Sequence, residues 1–387
     1  MAKRRIGILT GGGDVQPLNA VLYSVQEACR KSNVELIGFR SGWQGVIDSS
    51  YVDLLKMKID PNIGGTILRS SRINVATYSG GTQEAMSNFE RLGMSGLIVV
   101  GGEDTLSNAF YLREFPQALI SKTIDNDVGI FGKKESGNKS GEIVNYFTLG
   151  YPTAASKITS IVSMQEGLRT TAYSHERIIV VECMGMHAGW LALASSMGHP
   201  DFIIVPEFPL RYEHFLKRVA DRYRSQKHVI VVVAEGSRWE DGNYLSADNS
   251  EKDSFGHPRF KGSADALARR LKEDLKSQFD TRNVNAVNPS YIYRSGAPCA
   301  LDRACAMKLG RKAVSYLLHK DGAPAFMTLH RKNKSYSVVE YSSTGMKSIE
   351  DFHRFVDADL YDPESYSATP GAKKYLSHFV REFKRLY

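Results

Sequence analysis

The sequence predicts an α/β protein made of two doubly wound, mainly parallel-sheet domains. Two observations carry this. Apolar runs that do not alternate, and that end in glycine, acid or turn residues, recur at 5–13 (RIGILTGGG), 34–39 (VELIGF), 96–104 (GLIVVGGED), 178–185 (IIVVECMG), 202–207 (FIIVPE) and 228–236 (HVIVVVAEG). Strands buried on both faces of a sheet look like this, because neither face meets water. Between the runs lie segments of helical period, at 18–32, 105–115, 153–174, 211–227 and 263–279. Such alternation means βαβ units.

The units come in two sets. The first fills residues 1–137, and the hydrophilic GKKESGNKSGE at 132–142 is the expected linker. The second fills 138–296. A helix at 300–320 follows, and then the period changes to two in AFMTLH and SYSVVEYS around RKNK, which reads as a hairpin. Pattern alone does not assign that hairpin to a sheet; part of 297–345 is expected to return to the first domain. Residues 346–387 are a C-terminal extension without an assigned role, expected to hold a surface helix.

Composition narrows the function. At 387 residues, 42% hydrophobic and 24% charged, the chain can bury two cores, which excludes disordered and fibrous classes. The net charge of +8 favours anionic ligands, but lysine and arginine are spread along the chain instead of forming a stripe or tail. A phosphorylated small molecule is therefore expected, with no nucleic acid partner. Cys29, Cys183, Cys299 and Cys305 show neither a CxxC pair nor metal-ligand spacing, so reduced thiols and a cytoplasmic location are expected. MAKRR is followed only by IGIL before TGGGD, too short for the apolar part of a secretion signal. Runs such as VIVVVA fall far short of the ~20 residues of a membrane span, so no membrane partner is expected.

In open parallel sheets ligands bind beyond the carboxyl ends of the strands, so the residues after each apolar run are the first candidates. TGGGD at 10–14 follows the first strand and opens a helix; its glycines let backbone N–H groups face an anion, and the alternative is a tight turn without ligand. In GGED at 101–104, Glu103 and Asp104 suit Mg²⁺, or else Asp104 caps the next helix with Glu103 in its first turn. In SKTIDND at 121–127, Asp125 and Asp127 lie close enough to share a metal or shift each other's protonation, with Lys122 offsetting their charge; the alternative is an Asn/Asp turn. A nicotinamide dehydrogenase does not fit, since GGGDVQPLN lacks GxGxxG and FRSGW puts no acid at the end of the second strand.

TGGGD, GGEDT, SKTIDND, SHERIIVVECMG, EGS at 235–237 and PSYIYRSGAP, in that order between residue 7 and about 310, together resemble the phosphofructokinase family. The resemblance implies Mg²⁺-dependent phosphoryl transfer to the 1-hydroxyl of fructose 6-phosphate, with the active site in the cleft between a donor domain and an acceptor domain. Asp125 is the implied base, Asp127 and Glu103 the implied metal ligands, and Thr123 positions the reacting group. Gly11, Gly12, Gly13 and Arg72 are implied for the donor phosphates. Arg177, Met184, Gly185, Glu235, Tyr291 and Arg294 are implied for the acceptor. A homodimer or homotetramer whose sites share residues between subunits is also implied.

In that family ATP users have glycine after the GGD acid, whereas pyrophosphate users have aspartate there and lysine before TIDND. This chain has Asp104 and Lys122, so the expected donor is pyrophosphate. A carboxylate at that place opposes an α-phosphate, and lysine serves the shorter donor. Three departures bear on the acceptor: Met186 replaces the arginine of MGR, Asn285 stands where a clamping cation is common, and Glu103 replaces aspartate. Arg282 lies near Asn285 at another offset. Each charged hydrogen bond lost to a phosphate costs about 1.5 to 3 kcal/mol. They leave open another acceptor, sedoheptulose 7-phosphate or an unphosphorylated polyol such as myo-inositol, and a catalytically silent phosphate-binding or regulatory homologue.

Overall fold

The computed structural model describes residues 3–129, 145–246, 262–319, 324–343 and 353–385. Two compact units emerge, Met1–Ile124 with Val128–Tyr151 and Arg294–Arg354, and Asp125–Asp127 with Pro152–Tyr293 and Phe355–Tyr387. The boundary expected at 137 thus falls after Tyr151, and the segment from Arg294 belongs with the first unit. The linker GKKESGNKSGE lies outside the described residues.

In chain order the strands of the first unit are β1 (Arg5–Thr10), β2 (Glu35–Phe39), β3 (Tyr51–Asp53), β4 (Gly96–Gly101), β5 (Gln117–Thr123) and β6 (Leu149–Gly150). The second unit has β7 (Ile178–Cys183), β8 (Phe202–Ile204), β9 (Val229–Ala234) and β10 (Val284–Val287). The chain then adds β11 (Ala325–Lys332) and β12 (Ser335–Ser342) to the first unit, and the short β13 (Tyr361–Asp362) and β14 (Ser367–Ala368) to the second.

The first sheet runs β12-β11-β5-β4-β1-β2-β3, with β6 on β5. Its centre is parallel, Thr10 facing Val100 and Gly101 facing Ser121, so the loops after β1, β4 and β5 leave the same edge side by side. β1, β4 and β5 are buried almost throughout, which is why their sequences do not alternate. β12 is half exposed and does alternate. It pairs antiparallel with β11 through Asn333 and Lys334, whose φ of 47° and 65° give the twist a two-residue hairpin turn needs.

The second sheet, β10-β7-β9-β8, is parallel throughout. Val180, Val231, Phe202 and Phe215 anchor its core, with Leu267 and Leu271 from the helix Ser263–Leu275. The single helix expected at 153–174 is two, Tyr151–Val162 and Arg169–Ser174. Ser163 Oγ turns back to the Ser160 carbonyl, and Leu168 N–H returns to Ile161, so the chain reverses between them. The second helix begins with Arg169, buried against Asp201 at 3.1 Å.

The expected extension also divides, Arg354 ending one unit and Phe355 opening the other's last segment. Tyr361 hydroxyl donates to the Ile203 carbonyl, and Phe383 N–H to Met197. The helix here, Pro370–Leu376, starts on a Thr369 cap and buries Leu376, so this tail is part of the second unit's core.

Candidate active site

Gly11 N–H donates to the Val100 carbonyl and Gly12 N–H to Ser71, while Ser70 Oγ donates to the Gly12 carbonyl at 2.5 Å. The first phosphate-type loop is thus held by β4 and by the segment carrying Arg72. Arg72 itself is exposed, one residue beyond that contact. Gly12 has φ of 77°, a conformation that favours glycine, and a Cβ there would sit 3.1 Å from Lys122 Nζ. Lys122, near the end of β5, is buried, and its ammonium donates to the Gly13 carbonyl. An ammonium held on a glycine loop makes this edge cationic without a GKT-type motif.

Arg294 reaches the same loop, 3.5 Å from the Asp14 carbonyl, and a Cβ on Gly13 would lie 2.9 Å from its guanidinium. Arg294, expected for the acceptor, belongs to the first unit with the glycine loop, and Tyr291 to the second.

The helix Glu103–Phe110 begins directly after Gly102, which has no side-chain capping bond. Asp104 therefore does not cap; Glu103 and Asp104 occupy the first turn, where the helix dipole favours carboxylates. Glu103 Oε2 accepts from His353 Nε2 at 2.6 Å. Thr123 closes β5, and its carbonyl accepts from Thr148 Oγ1 at 2.7 Å.

The turn after Thr123 passes into the second unit. Asn126, buried between Asp125 and Asp127, has φ of 55°, a conformation that asparagine tolerates better than most residues. Its amide donates to Tyr375 hydroxyl at 3.0 Å. Burial pushes the Cys183 thiol at the end of β7 well up, and the Glu235, Glu182 and Asp125 carboxylates push it further. Asp125 is thus grouped with the carboxyl end of the second sheet.

Met184 and Gly185 follow β7 there. Gly185 N–H donates to Glu235 Oε1 at 3.2 Å, and Glu235 N–H returns to the Cys183 carbonyl. Met184, Glu235 and Tyr291 line one cavity of about 80 Å³ with Glu182, Asn288 and Tyr293. The last three were missed in the sequence. Asn288 donates to Glu182 Oε1 at 2.7 Å, Tyr293 hydroxyl to the Glu182 carbonyl, and Ala264 N–H to Glu182 Oε2. Burial raises the Glu182 carboxyl against the backbone N–H groups of Ala264, Gly262 and Ser263. The only sequence signal for this carboxylate was an acid inside the apolar run IIVVEC.

Arg177 does not join this group. It precedes β7, at the opposite end from Met184, and donates to Thr171 Oγ1. Asn285 faces Ile179 at that same end of β10. Arg282 is paired with Asp280 at 2.6 Å, which raises its own pKa and holds Asp280 at about 2. Among the described residues no three His, Cys, Asp or Glu side chains gather as a metal cage. Mg²⁺ needs none, since it keeps several waters and takes one or two carboxylates with substrate phosphates; the carboxylates of Glu103 and Asp127, expected for this role from the sequence, are each oxygen donors of the type it takes.

Comparison with known proteins agrees with these motifs. Residues 5–317 match the family model described as Phosphofructokinase. The chain is 36% identical to a pyrophosphate–fructose 6-phosphate 1-phosphotransferase of Dictyoglomus thermophilum, over 85% of this chain and 90% of that protein. It is 37% identical to ATP-dependent 6-phosphofructokinase 3 of Streptomyces coelicolor, over 80% and 86%. The fold resembles that of a pyrophosphate-dependent phosphofructokinase from Marinobacter aquaeolei, with a TM-score of 0.78 at 19% identity over 99% and 93% of the two chains. The chain belongs to the phosphofructokinase family, an enzyme of the phosphotransferase kind.

Proposed function

We propose that the protein transfers a phosphoryl group from pyrophosphate to the 1-hydroxyl of fructose 6-phosphate, reversibly and with Mg²⁺. The observation that carries the donor is Lys122, buried with its ammonium on Gly13 beside Gly12, together with Asp104 in the first turn of its helix. Relatives of similar identity use either donor by name, so the reading of the donor rests on these two residues. Lysine supplies charge for a terminal phosphate, and Asp104 repels the α-phosphate of a nucleotide.

Asp125 accepts the proton of the sugar hydroxyl as that oxygen bonds to phosphorus, and the P–O bond to the departing orthophosphate breaks. Thr123, Arg72 and the loop of Gly11, Gly12 and Gly13 orient the donor. Glu103 and Asp127 would hold Mg²⁺, which would supply positive charge to the phosphates. Such transfer rests on positioning and electrostatics. Met184, Gly185, Glu235, Tyr291 and Arg294 are assigned to the acceptor. A homodimer or homotetramer in a cytoplasmic setting is part of the proposal. Arg177, remote from Met184 on its own strand, is the residue offered to a partner's sugar phosphate.

One observation favours a second acceptor. Among the described residues, the cavity beside Glu235 is lined by two carboxylates and no cation. An unphosphorylated polyol such as myo-inositol suits it better than sedoheptulose 7-phosphate.

Asp104→Gly tests the donor assignment. Turnover with Mg²⁺ and each acceptor should use pyrophosphate in the parent, and the variant should accept ATP at least tenfold better, a change of about 1.4 kcal/mol. Unchanged rejection of ATP would count against the role of Asp104.

A further inference from the structure

We propose that His353, in the tail that follows the hairpin, is a positioning residue for the Glu103 carboxylate and through it sets the protein's affinity for the metal–diphosphate donor. The inference rests on the assignment of Glu103 to the metal and adds a residue that no motif contains.

Glutamate has one more methylene than aspartate, hence one more torsion to fix before an oxygen can face a cation. His353 removes that freedom. Its Nε2 donates to Glu103 Oε2 at 2.6 Å, which leaves Oε1 for another partner. The two side chains are only 22% and 26% exposed, so the pair is more than a fully solvated surface contact.

The backbone that carries the imidazole is itself held. Arg354, 3% exposed, donates to the Tyr146 carbonyl at 3.0 Å and to Asn145. The backbone of His353 bridges antiparallel to Val128, four residues from Ile124 along the chain that leaves the TIDND turn. A Cβ on Gly129 would come 2.7 Å from that of Arg354, so the approach is close enough to exclude any side chain there. A buried arginine and a backbone bridge thus fix the tail against Tyr146 and Val128, and a short hydrogen bond ties it to Glu103 of GGED. Histidine and carboxylate partners that orient metal ligands from outside the coordination sphere act in this way.

The test is Mn²⁺ binding in the presence of pyrophosphate, read by electron paramagnetic resonance on the full chain, for the parent, His353→Ala, His353→Gln and Glu103→Ala. The amide nitrogen of glutamine replaces Nε2 as a donor. His353→Ala should weaken Mn²⁺ about tenfold, His353→Gln should restore most of the loss, and both should melt near the parent. In turnover, His353→Ala should raise the KM for the metal–pyrophosphate donor more than it lowers kcat. Two results overturn the proposal separately. If Glu103→Ala binds Mn²⁺ like the parent, the metal assignment fails and takes the proposal with it. If Glu103→Ala loses binding while His353→Ala does not, or if His353→Gln is no better than His353→Ala, Glu103 keeps its role and His353 does not have this one.

Discussion

Asp125 carries the sharpest prediction at the scale of single residues. Asp125→Asn keeps the volume and removes the proton acceptor, so kcat should fall by about 10² to 10⁴ with sugar phosphate binding little changed. Steady-state kinetics beside an acceptor titration would check this; a kcat within a few-fold of the parent would remove Asp125 from the base role. Its neighbour shows what the sequence displayed and what it hid. The pair of aspartates was visible in SKTIDND, and so was the lysine before them. That Asn126 between them adopts a left-handed conformation and is tied to Tyr375, some 250 residues on, was not visible, because nothing local encodes a contact at that separation. Glu182, Asn288 and His353 escaped for the same reason: each matters through a partner distant in the chain.

Among the elements, the long apolar strands were legible because burial on both faces removes alternation, as in β4 and β9. β3 was not, since three residues at an antiparallel edge give no period to read. The break between the helices Tyr151–Val162 and Arg169–Ser174 was hidden by apolar residues that keep helical spacing across it.

The C-terminal tail makes an element-scale prediction. His199 Nε2 donates to the Phe383 carbonyl at 2.8 Å, and Glu382 lies 3.5 Å away, with Lys373 and Arg385 adding positive charge nearby. Burial lowers the His199 pKa from 6.5 despite the Phe383 bond and Glu382, and burial lowers His228 as well. A lowered folded pKa means the folded state binds fewer protons than the unfolded one. The contribution is therefore present above pH 6.5 and lost as pH falls from there through the folded values. Urea midpoints should drop between pH 7.5 and 5.5, and less so in His199→Gln. An equal drop in both proteins would show that other groups carry the dependence.

For the whole molecule, two sets of βαβ units were readable from pattern, and the two sheets and the family membership agree with that reading. Part of 297–345 was expected in the first unit, where Arg294–Arg354 lies; that Phe355–Tyr387 belongs to the second was not readable, because such a course depends on long-range packing that no period records. Motifs read in sequence order likewise do not show that Arg294 sits by Gly13 or that Arg177 lies at the end of β7 opposite Met184.

The donor is the central claim, and phosphorus NMR of the parent protein tests it most directly. With Mg²⁺ and fructose 6-phosphate, the account predicts that pyrophosphate is converted to orthophosphate and fructose 1,6-bisphosphate. It also predicts that pyrophosphate reappears when those two products are supplied, and that ATP gives no comparable turnover. Rapid phosphorylation of the sugar from ATP, with pyrophosphate left untouched, would contradict it.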